Sequence, residues 1–200
     1  MGHQEDVFLE GEGDAWHHRN SHKLRQPVIL DILMDLRIKP TYALEFGCGL
    51  GFNIAEIVNS FHCRGLGIDP SNESITVARQ AYSNIDFFVG TATNGVLSGF
   101  DLVMFGFCLY LCDREDLHRI VRNADDALHD GGYLVIQDFD PEYPHKVPYH
   151  HRDGLFSYKM DHSKLWLANP SYSLVQKRVY AEGEAVWVLK KNIAAGWPTL

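Results

Sequence analysis

The sequence predicts a single doubly wound α/β domain built on a mostly parallel sheet. Three observations lead there. Between residues 40 and 140, short apolar runs alternate with stretches whose apolar residues recur at helical spacing. Those runs are hydrophobic almost throughout, as strands covered on both faces must be. The first of them, Tyr42–Phe46, passes directly into Gly47-Cys48-Gly49-Leu50-Gly51, a tight turn of alternating glycines that opens a helical stretch.

Each element has its own signal. Residues 1–22 are polar with isolated Val7, Phe8, Leu9 and Trp16, and read as an arm or lid. From Arg25 apolar residues fall at helical intervals and stop before Pro40. Strand Tyr42–Phe46 is followed by helix Phe52–Phe61, then by strand Arg64–Ile68 closing at Asp69. Ser71 is placed to cap a helix reaching about Tyr82. Strands Ile85–Val89 and Phe100–Phe105 come next. Asp113 and Asp116 open a helix Leu117–Leu128, with Asp113 expected to accept its unpaired N–H groups. Asp130-Gly131-Gly132 ends that helix and turns into a fifth strand, Tyr133–Phe139. A segment rich in proline and histidine leads to a short helix near Ser163–Leu167. A hairpin follows, Ser173–Tyr180 and Ala185–Lys190, turning at Glu182-Gly183. No repeat or linker divides residues 1–200.

Composition narrows the function classes. The 200 residues are 46% hydrophobic and 22% charged, which excludes a disordered or coiled-coil chain. A formal charge of −8 argues against broad nucleic-acid binding. The longest apolar run, Leu102–Cys112, falls well short of the roughly 20 residues a membrane span needs. The first residues are acidic and lack the layout of a secretion signal, so a cytoplasmic protein is expected. The four cysteines form no C-x-x-C pair and read as reduced core thiols, with no metal site.

Ligands of such sheets bind outside the carboxyl ends of the strands, which directs attention to the loops after Phe46, Ile68, Val89, Phe105 and Gln137. The glycine turn departs from the dinucleotide fingerprint, because Phe52 stands where a third glycine is wanted and Gly51 comes one residue early. Glu45, just before the turn, would repel a pyrophosphate and suits an ammonium group. Asp69, 24 residues later, suits two ribose hydroxyls in a bidentate contact; its alternative role is a charge at a helix N-terminus.

Glu45-Phe46-Gly47-Cys48-Gly49-Leu50-Gly51, the acid Asp69, Phe100-Asp101-Leu102-Val103 and Asp130-Gly131-Gly132-Tyr133-Leu134 together resemble class I S-adenosylmethionine-dependent methyltransferases over residues 40–140. The resemblance implies a Rossmann-like, seven-stranded sheet with an antiparallel last strand and an N-terminal helix over the cofactor. It also implies S-adenosylmethionine bound by Glu45, Gly47, Gly49 and Asp69. The family often places an acid after the third strand for the adenine amino group. Thr91 stands there in this chain, so that contact is expected from its hydroxyl or from the backbone of Ala92. At the fourth-strand exit, carbonyls near Phe105 would receive the methionine ammonium and Phe107 would line the transfer site; both rings read equally well as core. Residues 12–20 resemble the arm of methyltransferases of surface-sugar (pseudaminic acid type) biosynthesis. Trp16 would then cap the cofactor and Arg19 hold its carboxylate, unless Trp16 simply docks on the core.

The acceptor pocket is expected from residues 138–170, chiefly the proline-stiffened stretch Asp138–Asp153. His150 and His145, ahead of His151, are the expected bases, with Asp138 in reserve. The expected function is methyl transfer to an oxygen or nitrogen of a small molecule, with a sugar or nucleotide-sugar in view. Two alternatives are a non-catalytic cofactor- or partner-binding module and a nicotinamide-dependent oxidoreductase.

Overall fold

The computed structural model describes residues 3–23, 25–95, 97–181 and 183–192. Seven strands form one sheet: β1 (Tyr42–Phe46), β2 (Arg64–Asp69), β3 (Asp86–Val89), β4 (Phe100–Gly106), β5 (Leu128–Phe139), β8 (Tyr172–Ala181) and β9 (Glu184–Lys191). Their order is β3-β2-β1-β4-β5-β9-β8. Strands β1 to β5 pair in parallel, while β9 runs antiparallel to both β5 and β8. This is the mostly parallel, seven-stranded, Rossmann-like sheet with an antiparallel last strand.

Alternation along the strands separates two apolar layers. Leu44, Phe46, Val103, Phe105, Leu134, Ile136 and Trp187 point to one face, under α6 (Leu117–Ala127) and α7 (Lys164–Leu167). Ala43, Leu102, Met104, Val135, Val186 and Val188 point to the other. There they meet α3 (Val28–Asp35), α4 (Phe52–Phe61) and α5 (Asn72–Ala81). Ser71 caps α5 as expected, its hydroxyl accepting from the Ser74 N–H at 3.0 Å.

The structure departs from expectation in four places. Helix α3 starts only at Val28, after Pro27. Helix α6 ends at Ala127 and the chain is already in β5 at Leu128: Phe100 pairs with Leu128 but Leu102 with Tyr133, so Asp130-Gly131-Gly132 forms a bulge inside the strand. The Asp113 carboxylate does not cap α6; it accepts the Gln4 N–H at 2.6 Å, and Asp116 is the N-cap residue. The segment after β5, read as a loop, holds a small antiparallel ribbon of β6 (His145–Pro148) and β7 (Phe156–Lys159). Its prolines and histidines hide the strand pattern. Part of the expected hairpin turn, Glu182, lies outside the described residues.

The arm is more structured than its polarity suggested. It forms α1 (His3–Val7), a wide turn Phe8–Glu12 and α2 (Gly13–Asn20), with Gly11 at φ 145° breaking the helical path. Gln4 and Glu12 are buried, so these two polar side chains face the protein. No described helix is long and apolar enough to cross a membrane.

Candidate active site

A cavity of about 660 Å³ opens at the carboxyl ends of the parallel strands, roofed by the arm. That is the scale of a small-molecule or cofactor site. Its floor is the turn between β1 and α4. Gly47 (φ 69°) and Gly49 (φ 53°) adopt the left-handed conformation that glycine accepts without strain. A Cβ on Gly47 would stand 2.6 Å from Cys108, whereas one on Gly49 would meet only the Arg25 guanidinium at 3.8 Å. The Gly49 backbone thus borders open cavity.

Asp69 ends β2 on the same floor. Its Oδ2 accepts the Gly49 N–H at 2.8 Å and its Oδ1 the Ser71 N–H at 2.9 Å, which ties the glycine turn to the cap of α5. Burial raises its carboxyl pKa to about 6, against the pull of those two amides and of Arg25. The carboxylate keeps lone pairs for a ligand, and its two oxygens are fixed in direction.

Glu45 is placed otherwise than expected. It is buried and does not line the cavity; its oxygens accept from Asn53 Nδ2 at 2.8 Å and from the Ile54 N–H at 3.1 Å. It therefore caps α4 from the neighbouring strand. Burial lifts its pKa to about 7. Asn53, which lines the cavity, is the polar group its carboxylate orients.

The cation expected at the site, Arg19, also lies elsewhere. Its guanidinium pairs with the buried Glu12 carboxylate and donates to Tyr149 Oη at 2.9 Å, joining the arm to the segment after β6. Arg25 lines the cavity instead, below Trp16, with its guanidinium carbon 5.9 Å from the indole centroid. In the sequence pattern Arg25 marks only the start of a helical stretch. Trp16 lines the roof of the cavity. Helix α2 is clamped on α5 by Asp14, which accepts from Ser71 Oγ at 2.7 Å, by His17 against Ser74 Oγ at 3.0 Å and by His18 against Glu73 at 2.8 Å.

Thr91 and Ala92 line the cavity at the exit of β3. The Thr91 hydroxyl, however, donates to the arm residue Glu5, and the Ala92 carbonyl accepts from Asn123 at 2.9 Å. Of the two phenylalanines, Phe105 is core, stacked on Phe46 at 5.3 Å, and Phe107 faces the cavity. Phe107, Tyr110 and Phe139 meet edge to face with centroids 5.0 to 6.5 Å apart. Beyond them lie Gln137, Tyr180 and Glu184, with Gln137 Nε2 donating to Tyr180 Oη at 2.7 Å.

The expected bases are not brought to the site. His145, His150 and His151 are exposed on the β6–β7 ribbon and its turn, and none lines the cavity. Asp138 is fully buried beneath the site, accepting from the Tyr110 N–H at 3.2 Å and the Phe139 N–H at 2.8 Å. Burial raises its pKa to about 7, and the buried His162, lowered to about 4 by burial, stands 3.8 Å away. Asp138 props the turn carrying Tyr110; it does not open onto the cavity. Residues 138–170 contribute Phe139 alone to its lining.

Residues 43–132 match the family described as "Methyltransferase domain". No curated protein matches the sequence. Among solved structures, 1,6-didemethyltoxoflavin-N1-methyltransferase of Burkholderia thailandensis, bound to 1,6-didemethyltoxoflavin and S-adenosylhomocysteine, superposes with a TM-score of 0.79. Its identity is 14%, over 96% of this chain and 91% of that one. TehB of Haemophilus influenzae gives 0.68 at 16% identity, over 94% and 67%. An S-adenosylmethionine-dependent methyltransferase of Mesorhizobium loti gives 0.60 at 16% identity, over 76% and 91%. At such identities the likeness is one of fold.

Proposed function

We propose that this chain is a class I S-adenosylmethionine-dependent methyltransferase that methylates a nitrogen or oxygen of a small planar molecule held against Phe107, Tyr110 and Phe139. The cofactor supplies an activated methyl group on a sulfonium. The cavity residues fit it. Asp69 offers two fixed oxygens to a ribose diol, Arg25 a guanidinium to a carboxylate, and Gly49 an open backbone surface between them. The observation that carries the reading is this placement of opposite charges at one end of a single cavity whose other end is aromatic.

Transfer needs the acceptor aligned behind the methyl group, and orientation of this kind is worth up to about 7–11 kcal/mol. Phe107, Tyr110 and Phe139 favour a flat ring, stacked or edge-on, by their geometry. Gln137, Tyr180 and Glu184 would read its polar edge. Glu184, which lines the cavity with Tyr180, takes the place expected of the histidines as the group to hold a departing proton. Burial raises Tyr180 to about 12, so its hydroxyl remains a donor at neutral pH. The sugar or nucleotide-sugar acceptor belongs in the same test as the competing class. Radiolabelled methyl transfer should be measured against amino- and hydroxy-substituted heteroaromatics, free sugars and nucleotide-sugars. Preference for the heteroaromatics is expected; preference for sugars would overturn the acceptor assignment. No transfer to any class, together with no cofactor binding, would overturn the whole reading.

A further inference from the structure

Helix α2 of the arm and helix α5 bring two imidazoles and a carboxylate together outside the cavity. One ring nitrogen of His17, one of His18 and a Glu73 carboxylate oxygen all lie within 4.8 Å of one another. Neighbouring residues on a helix diverge by about 100°, yet these two rings meet edge to face with centroids 5.4 Å apart. The backbones that carry the three groups are held by other contacts. Asp14 of α2 accepts from Ser71 Oγ at 2.7 Å and from the Glu73 N–H at 3.0 Å, and His17 Nδ1 meets Ser74 Oγ at 3.0 Å. The Ser74 hydroxyl orients the His17 ring, and an imidazole held by one nitrogen keeps the other for an ion. His18 and Glu73 face solvent, with 65% and 47% of their side chains exposed.

Two imidazoles and one carboxylate are a donor set of zinc sites that keep a fourth position for water. Zinc–ligand bonds of about 2.0–2.2 Å place tetrahedral donors about 3.4 Å apart. The set closes on such an ion by rotation of its two exposed side chains. Magnesium and calcium take oxygen donors and suit it poorly. The formal charge of −8 favours a cation. By itself the His18–Glu73 contact, 2.8 Å and exposed, holds the arm only weakly; an ion shared with His17 turns it into a crosslink between two helices. We propose that His17, His18 and Glu73 bind a zinc ion that pins α2 to α5. Trp16, next to His17, roofs the cavity, so zinc occupancy sets how firmly that roof is held. The site goes beyond the methyl-transfer reading and does not depend on what the cavity binds.

The test is a titration of zinc chloride into the reduced, chelator-stripped protein against a chromophoric zinc indicator. The wild type is expected to take zinc from the indicator at this site. Outer partners of a metal ligand are worth about 10–100-fold in affinity, so losing a ligand in His18→Ala or Glu73→Gln should weaken that zinc by about tenfold or more. Zinc should also raise the melting temperature of the wild type and slow amide hydrogen exchange in α2. It should do neither in the two variants, and magnesium chloride should do neither in any of the three proteins. No zinc binding by the wild type, or wild-type affinity in either variant, would overturn the assignment, the latter by placing the ion on other histidines or on the cysteines. Zinc bound with the expected losses in the variants but without slower exchange in α2 would overturn the pinning of the arm. Both substituted side chains are exposed; should His18→Ala nevertheless fail to melt cooperatively, Glu73→Gln decides.

Discussion

Affinity for S-adenosylhomocysteine should fall as pH drops through 6, because ribose hydroxyls donate and need an ionised Asp69. Burial raises this carboxyl to about 6 in the ligand-free protein, with the Ser71 and Gly49 amides and Arg25 opposing and Asp14 adding to the rise. A diol donating to the carboxylate stabilises its charged form, so binding lowers the pKa and expels any proton present. If only the ionised form binds, the dissociation constant is multiplied by one plus ten to the power (6 − pH). That gives a factor of about 1.1 at pH 7, about 2 at pH 6 and about 11 at pH 5, a loss of about 1.4 kcal/mol. Titration calorimetry at these pH values, in two buffers of different ionisation enthalpy, reads both the affinity and a release of about half a proton at pH 6. Asp69→Asn, neutral throughout, should bind weakly with a flat profile. A flat wild-type profile, or a wild-type slope retained in Asp69→Asn, would refute the reasoning and move the titration to another group such as Glu45.

Arg25→Ala should weaken S-adenosylhomocysteine about tenfold, with partial recovery in Arg25→Lys, whereas wild-type affinity in Arg25→Ala would remove the guanidinium from the site. His145→Ala, His150→Ala and His151→Ala should each stay within about twofold of wild-type turnover, since general-base loss typically costs 10²–10⁴-fold; a larger drop would show that the ribbon folds over the cavity. The ligand-free protein should melt at a higher temperature at pH 5.5 than at pH 7.5. Glu45, Asp69 and Asp138 have raised pKa values, near 7, 6 and 7, so the folded state binds more protons than the unfolded chain and stability falls as pH rises through those values. His162, lowered to about 4, acts in the opposite sense but is a single group. A melting temperature rising with pH across this window would contradict the burial of those carboxylates.

What was legible in the sequence was whatever local pattern dictates. The strands β1, β2 and β4, the Ser71 cap and the terminal hairpin follow from apolar runs and turn chemistry. The floor of the cavity followed as well, because a glycine turn at a strand end has few uses and Asp69 closes the next strand. Side-chain direction was not legible. Glu45 and Arg19 have the right charges near the right place, yet α4 claims one and Glu12 the other. The arm hid its role because a helix docked by polar contacts, as at Gln4, Glu5 and Asp14, shows no apolar stripe. The histidines misled because their density reflects a ribbon facing solvent, while the cavity is lined by Gln137, Tyr180 and Glu184, separated in sequence and brought together by the antiparallel strand.

The central claim, one cavity with a charged cofactor end and an aromatic acceptor end, is tested most directly by a crystal structure with S-adenosylhomocysteine. The account predicts the ribose hydroxyls on Asp69, the carboxylate at Arg25, and the sulfur facing Phe107, Tyr110 and Phe139. Cofactor bound with its ribose away from Asp69, or seated against the β6–β7 ribbon, would contradict it.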